Sequence, residues 1–377
     1  MRTRGPDDDE IEVSVFGPGM GEAIALHLGM KRWVLIDSCL DPRTGSPASL
    51  SYLRDLDIDP ASQVRLVVAT HWHADHIRGI GEVFKQCDSA NVVISAALHK
   101  DEFLKLVELY ANRTMMRSSG MEEFTQIFET LQQRRQGPVR FNPPILAGAD
   151  RRLYAETIET PGAAPVEASI YSLSPSDAAC LKAKLAFAEL LPAPSQAKRR
   201  IVASPKSNHA SVVLWIQIGA HKILLGADLE TTSDAKTGWS VIVSDSQSIS
   251  SRADIFKIPH HGSQNGYHGG VWNELLSAQP HAVVTPFASG KKPLPTDADI
   301  ERITGLTRNA FATAPTKRGR YKQRNRVAKR LIAQATANVY DVHARWGQVR
   351  FRRRISATAP WDTELFGNAH QLSSVPS

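Results

Sequence analysis

Residues 67–79, Val-Val-Ala-Thr-His-Trp-His-Ala-Asp-His-Ile-Arg-Gly, place four metal-competent side chains, His71, His73, Asp75 and His76, within six residues. They follow an apolar run from Val64 to Ala69, interrupted only by Arg65, which predicts a buried strand ending at a loop. His71 and His73, two apart, can point the same way from an extended strand end, whereas Asp75 and His76 fall past the bend. Two ligand pairs from one loop suit two divalent ions about 3.5 to 4 Å apart, which can share a hydroxide and clamp the attacking and leaving oxygens of a scissile ester or phosphodiester. The plain alternative is a solvated histidine-rich turn. Three imidazoles and a carboxylate crowded at this spacing after a strand argue against it.

His-x-His-x-Asp-His after an apolar strand resembles the signature of the metallo-β-lactamase fold superfamily. Two further strands agree with it. Trp33 to Ser38, Trp-Val-Leu-Ile-Asp-Ser, ends in Asp37, which matches the early aspartate that supports the metal loop in that family. Ile223 to Asp228, Ile-Leu-Leu-Gly-Ala-Asp, ends in Asp228 where the family has its metal-bridging aspartate, with Gly-Ala-Asp in place of the usual Gly-Asp. Ile255 to Ser263, Ile-Phe-Lys-Ile-Pro-His-His-Gly-Ser, supplies His260 and His261, one of which the resemblance makes a ligand. This His-His-Gly-Ser form, the strand at Pro280 to Pro286 and the opening hairpin of Glu12 to Ala25 are most similar to the soluble hydrolase domain of the DNA-uptake competence protein ComEC and its free-standing relatives. The resemblance runs from residue 11 to residue 290, with gaps.

It implies an α/β protein of the four-layer αββα metallo-β-lactamase fold, holding one or two divalent metal ions, zinc or manganese. Many superfamily hydrolases carry a third histidine for the first metal where this chain has Asn208, and an amide oxygen is a poor zinc ligand. His209, one place later, compensates only if the backbone turns it inward. The expected sites are therefore a strong second one from Asp75, His76, Asp228 and His260 or His261, and a weaker first one from His71, His73 and Asp228.

A chain of 377 residues can hold one layered α/β core plus insertions. The expected division is a hydrolase domain over 11–300, with a helical and loop insertion at 98–206, and a basic C-terminal extension over 301–377. Strands are expected near 11–17, 23–29 and 32–37, a helix at Pro47 to Leu56, another at Gly79 to Gln86 and a strand at Val92 to Ser95. Within the insertion, Phe103, Leu106, Val107 and Tyr110, and then Phe124, Ile127, Phe128 and Leu131, recur at helical spacing and read as core packing. Ala168 to Leu191 reads as a strand, a turn and a helix with Ser176 or Asp177 as N-cap. Cys39, Cys87 and Cys180, odd in number and scattered, imply neither a disulfide framework nor a cysteine zinc site. Met1 to Glu10 is charged, and no stretch of about 18 apolar residues occurs. A cytoplasmic protein with no membrane partner is expected, unlike ComEC itself, which is a membrane channel.

The net charge is +7. Much of the excess lies late in the chain, where Lys317, Arg318, Arg320, Lys322, Arg324, Arg326, Lys329 and Arg330 occur with no acid among them and Tyr321 interleaved. Such a tract suits a phosphate backbone, because each neutralised phosphate releases counterions. Arg345 to Arg354 alternates like an edge strand and adds charge. Lys198, Arg199, Arg200 and Lys206 fall in a loop just before Asn208. The leading expectation is a metal-dependent phosphodiesterase or nuclease acting on DNA or RNA, with Asp37 orienting a ligand histidine and Ser263, Tyr267 or His268 contacting substrate or protonating the leaving group. A regulatory protein partner would restrain such a nuclease. Two alternatives remain: hydrolysis of a small substrate such as a cyclic nucleotide, lactone or thioester, and a catalytically weak binding or regulatory subunit.

Overall fold

The computed structural model describes residues 4–17, 21–98, 120–160, 164–190, 207–288, 293–316 and 346–373. Their strands are β1 (Glu10–Gly17), β2 (Ala23–His27), β3 (Trp33–Ile36), β4 (Val64–Ala69), β5 (Asn91–Ser95), β6 (Ile145–Ala147), β7 (Arg151–Ile158), β8 (Val166–Ser172), β9 (Leu214–Ile218), β10 (His221–Leu225), β11 (Ala253–Lys257), β12 (Leu276–Val284), β13 (Ala310–Ala312), β14 (Gly347–Arg354), β15 (Asp362–Gly367) and β16 (His370–Gln371). One sheet has the order β15-β14-β1-β2-β3-β4-β5-β6 and the other β16-β13-β12-β11-β10-β9-β8-β7.

Side-chain alternation builds the layers. In β3 and β4, Val34, Ile36, Leu66 and Val68 point to the space between the sheets, where they meet Ile216, Ile223, Leu225 and Ile255 of the second sheet. Their neighbours Leu35, Val67 and Ala69 point outward, against helices Ala48–Asp55, Ile80–Gln86 and Met121–Gln136. On the far side, Leu224, Phe256 and Val284 pack under helices Gly238–Asp245 and Asp297–Leu306. Two facing sheets flanked by helices make the four-layer αββα arrangement. Helix Asp177–Leu190 is capped by Ser176, whose Oγ accepts from the Ala179 amide at 3.2 Å.

Two expectations need correction. The stretch 98–206 is not an insertion throughout: β6 completes the first sheet, and β7 and β8 extend the second. Phe124, Ile127 and Leu131 do pack as core, whereas Phe103, Leu106, Val107 and Tyr110 lie outside the described residues. Nor do the described residues of 301–377 form an extension apart from the sheets. β13 and β16 join the second sheet, and β14 pairs antiparallel with β1 from Glu10↔Arg354 to Gly17↔Gly347, with β15 beyond it. β14 is therefore an interior strand rather than an edge. Its arginines are neutralised by acids: Arg350 by Glu364 at 2.7 Å, Arg352 by Glu12 at 2.7 Å, Arg354 by Asp9 at 2.6 Å, and Arg353 lies 3.7 Å from Asp254. The alternation of arginine with Val349 and Phe351 reflects a strand whose polar face meets carboxylates from elsewhere in the chain.

His27 packs against Trp33, with its Nδ1–H donating to the Glu10 carbonyl at 2.8 Å and its Nε2 accepting from the Lys31 amide at 3.1 Å. Only the neutral ring can make both bonds. Burial is the main influence and lowers its pKa from 6.5 to about 4. Between those values the unfolded chain holds more protons than the folded one, so stability is lost as pH falls through that window. Denaturation followed from pH 6.5 to pH 4 should show a falling midpoint, and a shallower fall in His27→Gln; equal slopes would clear His27 of any part in it.

Candidate metal centre

β3, β4 and β5 run parallel, as do β10, β11, β12 and β13, and the chemistry-bearing residues follow the carboxyl ends of these strands. Asp37 follows β3, His71 to His76 follow β4, Asp228 follows β10 and His261 follows β11. Several of these turns need left-handed backbone: φ is +55° at Asp37, +45° at Ala227, +49° at His260 and +53° at His261. Such conformations are costly for residues with a Cβ and are kept where they aim a side chain. At the metal loop, Ala74–Ile77 forms one helical turn, which swings Asp75 and His76 back beside His71.

Three overlapping donor groups result: Asp75, His76, Asp228 and His261; His71, His73 and Asp228; and Asp37, His71 and His76. Asp228 joins the first two. Its Oδ1 is 3.2 Å from His76 Nε2, and its Oδ2 is 3.6 Å from His261 Nε2 and 4.0 Å from His71 Nε2. His261 Nε2 also lies 3.2 Å from Asp75 Oδ2.

The imidazole tautomers are fixed from behind. Asp37 Oδ2 accepts from His76 Nδ1–H at 2.8 Å and from the Thr70 hydroxyl at 2.7 Å, while Asp37 Oδ1 accepts from the Thr70 amide at 2.8 Å. Because the Thr70 hydroxyl spends its proton on Asp37, its oxygen accepts from His71 Nδ1–H at 3.0 Å. The Thr285 carbonyl accepts from His261 Nδ1–H at 2.8 Å. All three rings therefore turn Nε2 toward the same space. His71 Nε2, His76 Nε2 and Asp228 Oδ1 are buried with no hydrogen-bond partner among the described residues. Orphaned buried ring nitrogens converging on carboxylates fit a divalent cation.

The electrostatics agree. Burial is the largest influence on His76 and opposes its charge, yet the carboxylates of Asp228 and Glu22 outweigh it and lift its pKa well above 6.5. Burial dominates at His71 and lowers its pKa. For Asp228, burial works against ionisation, but the neighbouring His76 and His261 overcome it and hold the carboxyl below its usual range. The same carboxylates would draw a divalent cation to this point.

The remaining expected residues fall elsewhere. His260 does not join a donor group: its Nδ1 lies 3.0 Å from Ser263 Oγ and 3.5 Å from Glu230 Oε1. Asn208 donates to Glu230 Oε1 at 2.9 Å, and His209 Nε2 is 3.5 Å from Glu230 Oε2, so both gather on Glu230 rather than on the donor groups. His268 lies 3.4 Å from Ser240 Oγ and accepts from the Gly270 amide. Tyr267 sits under the Arg302 guanidinium. Lys198, Arg199, Arg200, Lys206 and the tract Lys317, Arg318, Arg320, Lys322, Arg324, Arg326 lie outside the described residues. Sequence reasoning missed Thr70, Glu22, Lys257, Glu230 and Thr285. A lysine inside the apolar run Ile255 to Ile258 was the one visible signal.

Residues 17–173 match the family described as the metallo-beta-lactamase superfamily. No curated protein matches the chain. Among solved structures, the metallo-beta-lactamase fold protein YhfI from Bacillus subtilis is 14% identical, with 66% of this chain and 70% of that one covered and a TM-score of 0.32. Zn(2+)-bound PqqB from Methylobacterium extorquens is 15% identical, with 62% of this chain and 58% of that one covered and a TM-score of 0.28. MEM-A1, a subclass B3 metallo-beta-lactamase from a soil metagenome library, is 12% identical, with 69% and 80% covered and a TM-score of 0.31. No helix among the described residues is long and apolar enough to cross a membrane.

Proposed function

We propose that the chain is a metal-dependent hydrolase that cleaves phosphodiesters, with DNA or RNA as substrate. The observation that carries this reading is the sharing of Asp228 between two donor groups, which suits a pair of divalent ions. When bound, such ions supply Lewis acidity at a phosphoryl oxygen and bring the pKa of water toward neutrality. The chain's own residues do the placing. His71, His76 and His261 hold their Nδ1 protons on Thr70, Asp37 and the Thr285 carbonyl, which keeps each Nε2 free for a ligand bond. Asp75, part-buried, adds a carboxylate oxygen to the group that it forms with His76, Asp228 and His261. Support for a nucleic acid comes from the acid-free basic tract within 317–330 and from the ComEC-like His-His-Gly-Ser motif.

A second reading, a small ester or cyclic nucleotide as substrate, is favoured by one observation: the arginines of β14 are tied to acids and are not free for a phosphate backbone. Labelled single- and double-stranded DNA and RNA, incubated with Mn²⁺ or Zn²⁺, separate the two. Cleavage by the native chain and its loss in Asp75→Ala plus His76→Ala is the expected result. Two bound metals with no cleavage of any polymer would favour the small substrate.

A further inference from the structure

Behind the Asp75, His76, Asp228 and His261 group lies a buried ion pair that the chemistry above does not use. Glu22 immediately precedes β2 and Lys257 ends β11, and both side chains are buried, at 1% and 0% exposed. The Lys257 ammonium is in direct contact with Glu22 Oε2. Taking both charges out of water is expensive, and a well-packed apolar pair of similar volume usually serves stability as well or better. What the pair touches suggests why it is kept.

Lys257 Nζ donates to the Ala227 carbonyl at 3.0 Å, the residue whose left-handed backbone aims Asp228. Glu22 Oε2 also accepts from the Thr285 hydroxyl at 2.6 Å, and the Thr285 carbonyl is what orients His261. Glu22 Oε1 lies 3.8 Å from His76 Nδ1, and the Glu22 amide donates to the Asp75 carbonyl at 3.0 Å. Four ligands from three separate chain segments, Asp75, His76, Asp228 and His261, are thus backed by one ion pair. His71 is held instead by Thr70 and Asp37.

We propose that Lys257 and Glu22 are positioning residues that set metal affinity at the Asp75, His76, Asp228 and His261 group, in preference to the His71 and His73 side. The ammonium fixes the strained Ala227 turn, and the carboxylate keeps Thr285 and the metal loop in register. The inference rests on the metal-centre reading above.

Binding of Co²⁺ to the native full-length chain, to Lys257→Met and to Glu22→Gln, followed by equilibrium dialysis and by the visible absorption of the bound ion, tests it. The native chain should bind two equivalents. Each variant should lose about 10- to 100-fold on one equivalent, lose less on the other, which shares only Asp228 with it, and show an altered visible spectrum, a loss typical of removing a group that orients ligands. Arg352→Met breaks a different buried pair, between β1 and β14, that touches none of the donor residues, and should leave both equivalents and the spectrum unchanged. Glu22→Gln preserves volume, so it carries the test if Lys257→Met does not fold. Native-like binding in both variants would overturn the proposal, as would equal losses in Arg352→Met. A native chain that binds no Co²⁺ would overturn the metal centre itself and this proposal with it.

Discussion

Replacing Asp228 by alanine is expected to remove both metal equivalents and to lower hydrolysis by at least about 10³-fold, since a metal's charge stabilisation is worth several kcal/mol and each 1.4 kcal/mol is tenfold in rate. The reason is its place in the centre. Asp228 Oδ1 faces His76, and Oδ2 faces both His261 and His71, so the two groups that contain it lose a carboxylate together. His73→Ala, by contrast, removes a donor from one group only, and should leave the other equivalent in place. Metal content after dialysis, measured beside turnover, distinguishes the two variants. Retention of two tightly bound ions by Asp228→Ala would show that the shared carboxylate is not the link between the groups.

Arg352→Met should cost about 3–5 kcal/mol of stability, the usual penalty for leaving one partner of a buried ion pair uncompensated. Glu12 and Arg352 are direct partners in the β1–β14 register and both are buried. Arg352 Nε donates to Glu12 Oε2 at 2.8 Å, and Glu12 Oε1 accepts from the Tyr52 and Ser14 hydroxyls, each at 2.6 Å. Burial chiefly, with Glu12 beside it, pushes the Tyr52 phenol up to about 12, so Tyr52 remains a neutral donor and cannot replace the lost charge. Urea denaturation of Arg352→Met and of Glu12→Leu plus Arg352→Met would reveal the mechanism. The double variant should be less destabilised than the single one, because no orphan carboxylate remains. A single variant within about 1 kcal/mol of native, the worth of an exposed pair, would mean that water reaches Glu12.

The donor-bearing loop could be picked out because its side chains are neighbours in the chain. Asp37 and Asp228 were legible because each closes an apolar run. The choice between His260 and His261 was not, since both have left-handed backbone and the direction of each ring is set by that turn and by the Thr285 carbonyl. Asn208 and His209 could be flagged as unusual, but their common partner Glu230 is named only by the fold. Glu22 and Lys257 are single charges whose meaning lies in each other, across two sheets. The arginines of β14 misled for the same reason: alternation showed a strand, yet Glu12, Glu364, Asp9 and Asp254, which absorb the charge, come from other segments.

The seating of β14 between β15 and β1 also bears on how the protein is made. β1 (Glu10–Gly17) leaves the ribosome long before its outer neighbour, which is encoded by Gly347–Arg354. At ordinary translation rates the interval is roughly 20–60 s. Throughout it the nascent chain presents an open strand edge, the kind of surface that invites pairing with other chains. The inner strands β2 to β5 and the loop bearing His71 to His76 can collapse early, whereas Glu12 waits in the interim for Arg352. Folding of this protein is therefore expected to finish at β1, and chaperones that shield emerging edges should matter more to its yield than to that of a protein whose strands pair only with sequence neighbours.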